Sequence, residues 1–188
     1  MKNYKPSDKI LERYADVLVN FALGGGKGIK KGEVVYLMAE ESAKPLYLEL
    51  RKAIWKSGGH IISSYIPSND EEYNVEKDFF IHAGLHQLDF FPEHHLKGLI
   101  KQIDHSIFII SEGNKQALTG IDPKKIMRAS KSMKPYMEWR NEKENSGKFT
   151  WTLALYGTPA MAKEAQMTVE EYWDQSSMRA FLKKKNQF

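Results

Sequence analysis

Val34-Val35-Tyr36-Leu37-Met38 is apolar at every position, and this run limits the fold more than any other feature of the chain. A strand with one wet face alternates apolar and polar side chains, so a β-branched run with no polar position has to be covered on both faces. That condition is met in a parallel sheet between helical layers. The strand is predicted over Glu33 to Ala39, and three further strands over His60 to Ile66 (HIISSYI), Ser106 to Ser111 (SIFIIS) and Phe149 to Tyr156 (FTWTLALY).

Helical patterns separate them. Ile10, Leu11, Tyr14, Ala15, Leu18, Val19 and Ala22 form one stripe, started by Ser7 or Asp8 and stopped by Gly24-Gly25-Gly26. Ser42 opens a helix through Leu46, Leu50, Ala53, Ile54 and Trp55 to a Ser57-Gly58-Gly59 stop. Further helices are expected from Glu71 to Leu85, from Pro92 to Ile103, after Asp122-Pro123 and after Thr158-Pro159. Thr168 and Glu171 make a capping box for the last. Alternating strands and helices imply an α/β fold: a mostly parallel sheet of at least four strands between helices, a Rossmann-like three-layer arrangement.

Composition narrows the function classes. In 188 residues, 41% hydrophobic and 12% aromatic content excludes a disordered chain. There is no cysteine, hence no disulfide, thiolate metal site or thiol nucleophile, which suits a reducing, cytoplasmic setting. Four of the cations behind the net charge of +4, Arg179, Lys183, Lys184 and Lys185, stand in the last ten residues, and the rest is formally neutral. The expectation is a basic tail rather than a nucleic-acid face. Aliphatic and aromatic runs reach only about four residues, as at Ile107 to Ile110, so no membrane span is expected.

The chemistry-bearing residues are sparse. The loop GGGKGIKKG, Gly24 to Gly32, follows a helix and precedes a strand, the reverse of a phosphate loop, and reads as a helix stop. His82 and His86 stand four apart, with Asp89, Glu93, His94 and His95 close behind, donors of the kind zinc takes. Pro92 interrupts them and no H-E-x-x-H occurs, so they read as a polar surface segment and no metal ligand is assigned. His60 and His105 read as polar strand-edge residues, Asp104 as a turn residue, and Glu40-Glu41, Glu71-Glu72 and Glu170-Glu171 as helix-start charges. Trp151, Tyr172 and Trp173 have core-like neighbours. No catalytic residue is identified.

Several segments taken in order do carry a resemblance. ILERYADVLV (Ile10 to Val19), KKGEVVYL (Lys30 to Leu37), the stretch Leu88 to Ile126, KPYMEWR (Lys134 to Arg140) and FTWTLALYGTPAMAKEAQMTVEEYWDQ (Phe149 to Gln175) resemble the aminopeptidase T-like thermophilic metallo-aminopeptidases. The resemblance implies an N-terminal α/β domain, expected over 1–175, with 176–188 a basic helical tail toward a C-terminal catalytic domain absent from this chain. Ser176-Ser177 departs from the apolar residues usual there. It further implies two divalent metal ions of zinc or cobalt type in that other domain, none here, with peptide substrates and a homodimer. The expected role is a non-catalytic scaffold, with Arg140 and Thr158 as candidate substrate or interdomain contacts. The alternative is a stand-alone small-ligand-binding or self-association module.

Overall fold

The computed structural model describes residues 4–69, 73–114 and 116–179. Four strands, β1 (Val34–Glu40), β2 (His60–Ile66), β3 (His105–Ile110) and β4 (Thr150–Leu155), pair in parallel in the order β2-β1-β3-β4. Val35 lies opposite both Ile61 and His105, and His105 opposite Thr150, so the strands start nearly level. All four expected strands form, within a residue or so at each end.

The chain leaves β1 toward one edge and reaches β3 on the other side of it. Crossovers of one hand then put their helices on opposite faces. On the first face, α1 (Asp8–Val17) and α2 (Lys44–Lys56) pack Leu11, Ala15, Leu46, Leu50 and Ile54 against Val35, Leu37, Ala39, Ile107, Ile109 and Ala154. Trp173 of α9 (Val169–Arg179) completes that core, its ring edge-on to Tyr156 and its indole N–H donating to the Gly157 carbonyl at 3.0 Å. On the second face, α5 (Glu93–Gln102) and α7 (Lys134–Asn145) bring Leu99, Ile100, Tyr136 and Trp139 over Val34, Tyr36 and Ile62. A smaller cluster joins α3 (Val75–His82) and α4 (Leu85–Leu88) to α6 (Pro123–Ser132) through Phe80, Ala83, Leu88 and Ile126.

That second cover is partial, which corrects the expectation of a sheet buried on both faces. Along β1 every second residue is fully buried, and those between are half-buried. On edge strand β4, Trp151 and Leu153 are 41% and 49% exposed. Trp151 is therefore not a core residue: Arg140 stacks 4.9 Å over its ring, and its indole N–H reaches Glu144 at 2.9 Å.

Local signals read from sequence are mostly realised. Asp122 caps α6 through the Lys124 amide, and Thr158 caps α8 (Pro159–Glu164) through the Met161 amide. The Thr168–Glu171 box forms. Four differences have physical causes. Ser7 caps α1 with its carbonyl, not its side chain, and α1 widens into a π turn at Leu18–Ala22 that swings Ala22 out of the buried stripe. Ser42 is not a helix cap but sits in a 3₁₀ turn (Glu41–Ala43), its side chain drawn to β3. Pro92 is the N-cap of α5, so that helix begins at Glu93, one residue later than expected. A helix, α7, occupies 134–145, where none was assigned. The expected helix start at Glu71-Glu72, and 180–188 of the basic tail, lie outside the described residues.

Candidate functional site

Open parallel sheets bind ligands beyond the carboxyl ends of their strands, where the strand order reverses. Here that point lies between β1 and β3. The β1 end supplies Glu40, and the 3₁₀ turn after it places Ser42, whose hydroxyl donates to the Ser111 carbonyl at 2.8 Å, with Ser111 Oγ 2.9 Å away. The Ser42 amide donates to Ser68 Oγ at 2.7 Å, tying the β2 exit to the same point.

A cleft of about 590 Å³ opens there over Phe108 and Ile110, walled by Glu40, Glu76, Glu112 and Asn114. Gly113 makes one wall possible, because a Cβ there would stand 2.3 Å from the Asn69 carbonyl oxygen. Glu40 Oε2 is buried without a hydrogen-bond partner among the described residues. Burial first, then the charges of Glu112 and Glu76, push the Glu40 carboxyl above the ordinary range. The cleft is therefore built to accept hydrogen bonds or positive charge.

The sequence candidates do not converge. His82 ends α3 and His86 lies in α4, with Ala83-Gly84 breaking the helix between them, so their four-residue spacing does not put them on one helix face. Both are exposed, as are Glu93, His94 and His95, and Glu93 lies 3.8 Å from Lys97. Arg140 stacks on Phe149 and Trp151 near the amino end of β4. Thr158 is buried beyond its carboxyl end, donating to the Glu112 carbonyl and accepting from the Met161 amide. These two residues sit at opposite ends of one strand, and neither enters the other's surroundings.

Glu40, which the sequence pattern marks only as a helix-start charge, and His105 are not singled out by sequence reasoning. His105 is not a strand-edge residue: it lies in a central strand, 5% exposed, with Nδ1 2.8 Å from Thr150 Oγ1 and Nε2 2.9 Å from Glu33 Oε2. Asp104 ties strands together, its Oδ2 accepting from the Val34 amide at 2.8 Å. His105 stands at the start of β3 between Asp104 and Ser106, ahead of the apolar run, so nothing local marked it or Glu40.

The geometry defines a doubly wound parallel α/β domain with a polar crevice at its switch point. The model of the thermophilic metalloprotease (M29) family matches residues 7–187, and the chain belongs to that family. Wild-type AmpT from Thermus thermophilus has the same fold, with a TM-score of 0.70 at 20% identity over 92% of this chain and 43% of that one. The chain thus spans less than half the length of that relative. The A-PCP didomain of the carboxylic acid reductase from Segniliparus rugosus, solved with AMP, matches at a TM-score of only 0.30 and 10% identity, over 77% of this chain and 18% of that one. No curated protein matches significantly.

Membership relates the chain to aminopeptidase T-like metallo-aminopeptidases and implies metal dependence for the family. Among the described residues no three His, Asp or Glu side chains converge closely enough to hold an ion, and no hydrolytic step is assigned to them. Among the same residues no helix is long and apolar enough to cross a membrane.

Proposed function

We propose that these residues are the non-catalytic scaffold of a metal-dependent aminopeptidase that removes N-terminal residues from peptides, the two metal ions being held by a C-terminal domain outside this sequence. The observation that carries this reading is the half-covered second sheet face. Leu153 on β4 stands 49% exposed opposite Phe108 of β3, and Ile66, at the end of edge strand β2 on the far side of β1, is 43% exposed, apolar surface of the kind a second domain or a second copy of the chain covers. The acidic crevice at the same strand ends would border the substrate cavity, with Thr158 holding its rim and Arg140 contributing to the interdomain contact.

The test is direct. The purified chain, given leucyl p-nitroanilide with cobalt or zinc, is expected to show no turnover and to retain no stoichiometric metal after gel filtration. Turnover accompanied by two bound metal ions per chain would overturn the reading. A second reading, a stand-alone small-ligand-binding module, draws on the Glu40 oxygen in the switch-point cleft, which has no hydrogen-bond partner among the described residues. It predicts thermal stabilisation by a cationic metabolite, which a panel of amines would reveal.

A further inference from the structure

The opposite end of the sheet carries a different kind of cleft. Five lysines from four segments border a depression of about 630 Å³ at the amino ends of the strands: Lys27 and Lys30 before β1, Lys101 at the end of α5, Lys143 at the end of α7, and Lys148 before β4. The sequence outside its last ten residues is formally neutral, yet folding gathers positive charge here.

One of the five has a structural duty. Lys143 Nζ donates to the carbonyls of Ile100 and Ile103 and so caps α5, as cations do at helix carboxyl ends. Lys27, Lys30, Lys101 and Lys148 are exposed and have no ion-pair partner among the described residues. The two acids in the cleft are turned to its floor. Glu33 Oε2 accepts from the Lys30 amide at 2.6 Å and meets His105, and Asp104 accepts from the Val34 amide. The two carboxylates offset part of the positive charge, Glu33 acting on Lys30 and Asp104 on Lys143, but the five lysines of the cleft outnumber them and leave it net positive.

The floor is also fixed. His105 joins Glu33 to Thr150, and Thr150 Oγ1 accepts from the Gly24 amide at 3.0 Å. This chain of hydrogen bonds pins the glycine loop to the starts of β1, β3 and β4. The loop is tightly folded, since a Cβ on Gly24 would stand 2.1 Å from the Gly28 carbonyl oxygen. The backbone at the floor of the cleft is therefore fixed, and the exposed lysines around it make a net positive rim that an anion would complement.

We propose that this cleft is a binding site for a small molecule carrying two or more phosphate or carboxylate groups, held by Lys27, Lys30, Lys101 and Lys148 around a floor fixed by Glu33, His105 and Thr150. Its volume is within the range of small-molecule sites. It is not a phosphate loop: the glycine loop leads into a strand, and the lysine side chains supply the recognition. The site is separate from the switch-point crevice, so it stands or falls independently of the scaffold role.

Isothermal titration and thermal unfolding of the 188-residue chain with sodium tripolyphosphate, and separately with tricarballylate, test this. Sodium sulfate at matched ionic strength is the control. One saturable site is expected for at least one of the two, with Tm rising about 5–10 °C at a hundredfold excess over Kd. Whichever binds more tightly identifies phosphate or carboxylate as the ligand group. The exposed-site variant Lys27→Gln/Lys148→Gln should weaken binding about tenfold or more, while Lys183→Gln/Lys184→Gln/Lys185→Gln in the tail should leave it unchanged. The proposal is overturned if neither anion exceeds sulfate, if the Lys27/Lys148 variant binds like the parent, or if only the tail variant loses binding.

Discussion

Glu40→Gln should stabilise this protein at neutral pH, although most substitutions of half-buried residues destabilise. Glu40 Oε2 is buried without a partner among the described residues, while Glu76 and Glu112 share its cleft. Leaving a buried polar atom unpaired costs about 1–3 kcal/mol, and more when it is charged. The rest of the carboxyl is only half-buried, so solvent screens much of its charge and the lower end applies. Removing the charge should therefore return about 1 kcal/mol at pH 7, or about 2–4 °C in Tm for a chain of this size. The pH dependence gives the sharper test. Burial and the two neighbouring carboxylates raise the folded-state pKa of Glu40 above its unfolded value. The parent protein thus keeps its full stability below the unfolded carboxylate pKa of about 4.3, and loses some as pH rises through the folded value. Urea unfolding of parent and variant should converge near pH 4 and separate toward pH 7, with the variant more stable. A variant less stable than the parent at pH 7 would mean that Glu40 is ionised and paired, and the account of the crevice would be wrong.

Two other outcomes follow from packing. Trp173→Ala, which removes a 2%-exposed indole set edge-on to Tyr156 and bonded to Gly157, should cost about 3–5 kcal/mol in urea unfolding; a loss under about 1 kcal/mol would mean α9 does not dock on the first face. Gly28→Ala should cost about 3 kcal/mol or more, since its Cβ would stand 2.7 Å from the Asn20 carbonyl oxygen at φ +73°. Gly25→Ala, at φ +64° with open space around it, should cost only about 1 kcal/mol, and equal losses at the two positions would refute the close packing of the loop.

The legible parts of the fold were those whose causes lie close together in the chain. The caps at Asp122 and Thr158 and the Thr168–Glu171 box bond over two or three residues, and short apolar runs announce buried strands whatever their neighbours. The helix α7 escaped notice because its residues, KPYMEWRNEKEN, are mostly polar and none is fully buried, so its stripe is faint. The uncovered half of the sheet was equally hidden, because an apolar strand reads alike whether helices cover all of a face or part of it.

Sequence alone therefore determined the four strands, most of the helices, the parallel arrangement and the family resemblance, since periodicity, capping and turn chemistry act over a few residues. Only the tertiary structure decided what those elements surround. Ser42 meets Ser111 across 69 positions, and His105 meets Thr150 and Glu33 across 45 and 72. Lysines spread from Lys27 to Lys148 end around one cleft. Electrostatic energy depends on distance in space, and a chain formally neutral outside its last ten residues acquires charged places once folding has set which residues are near.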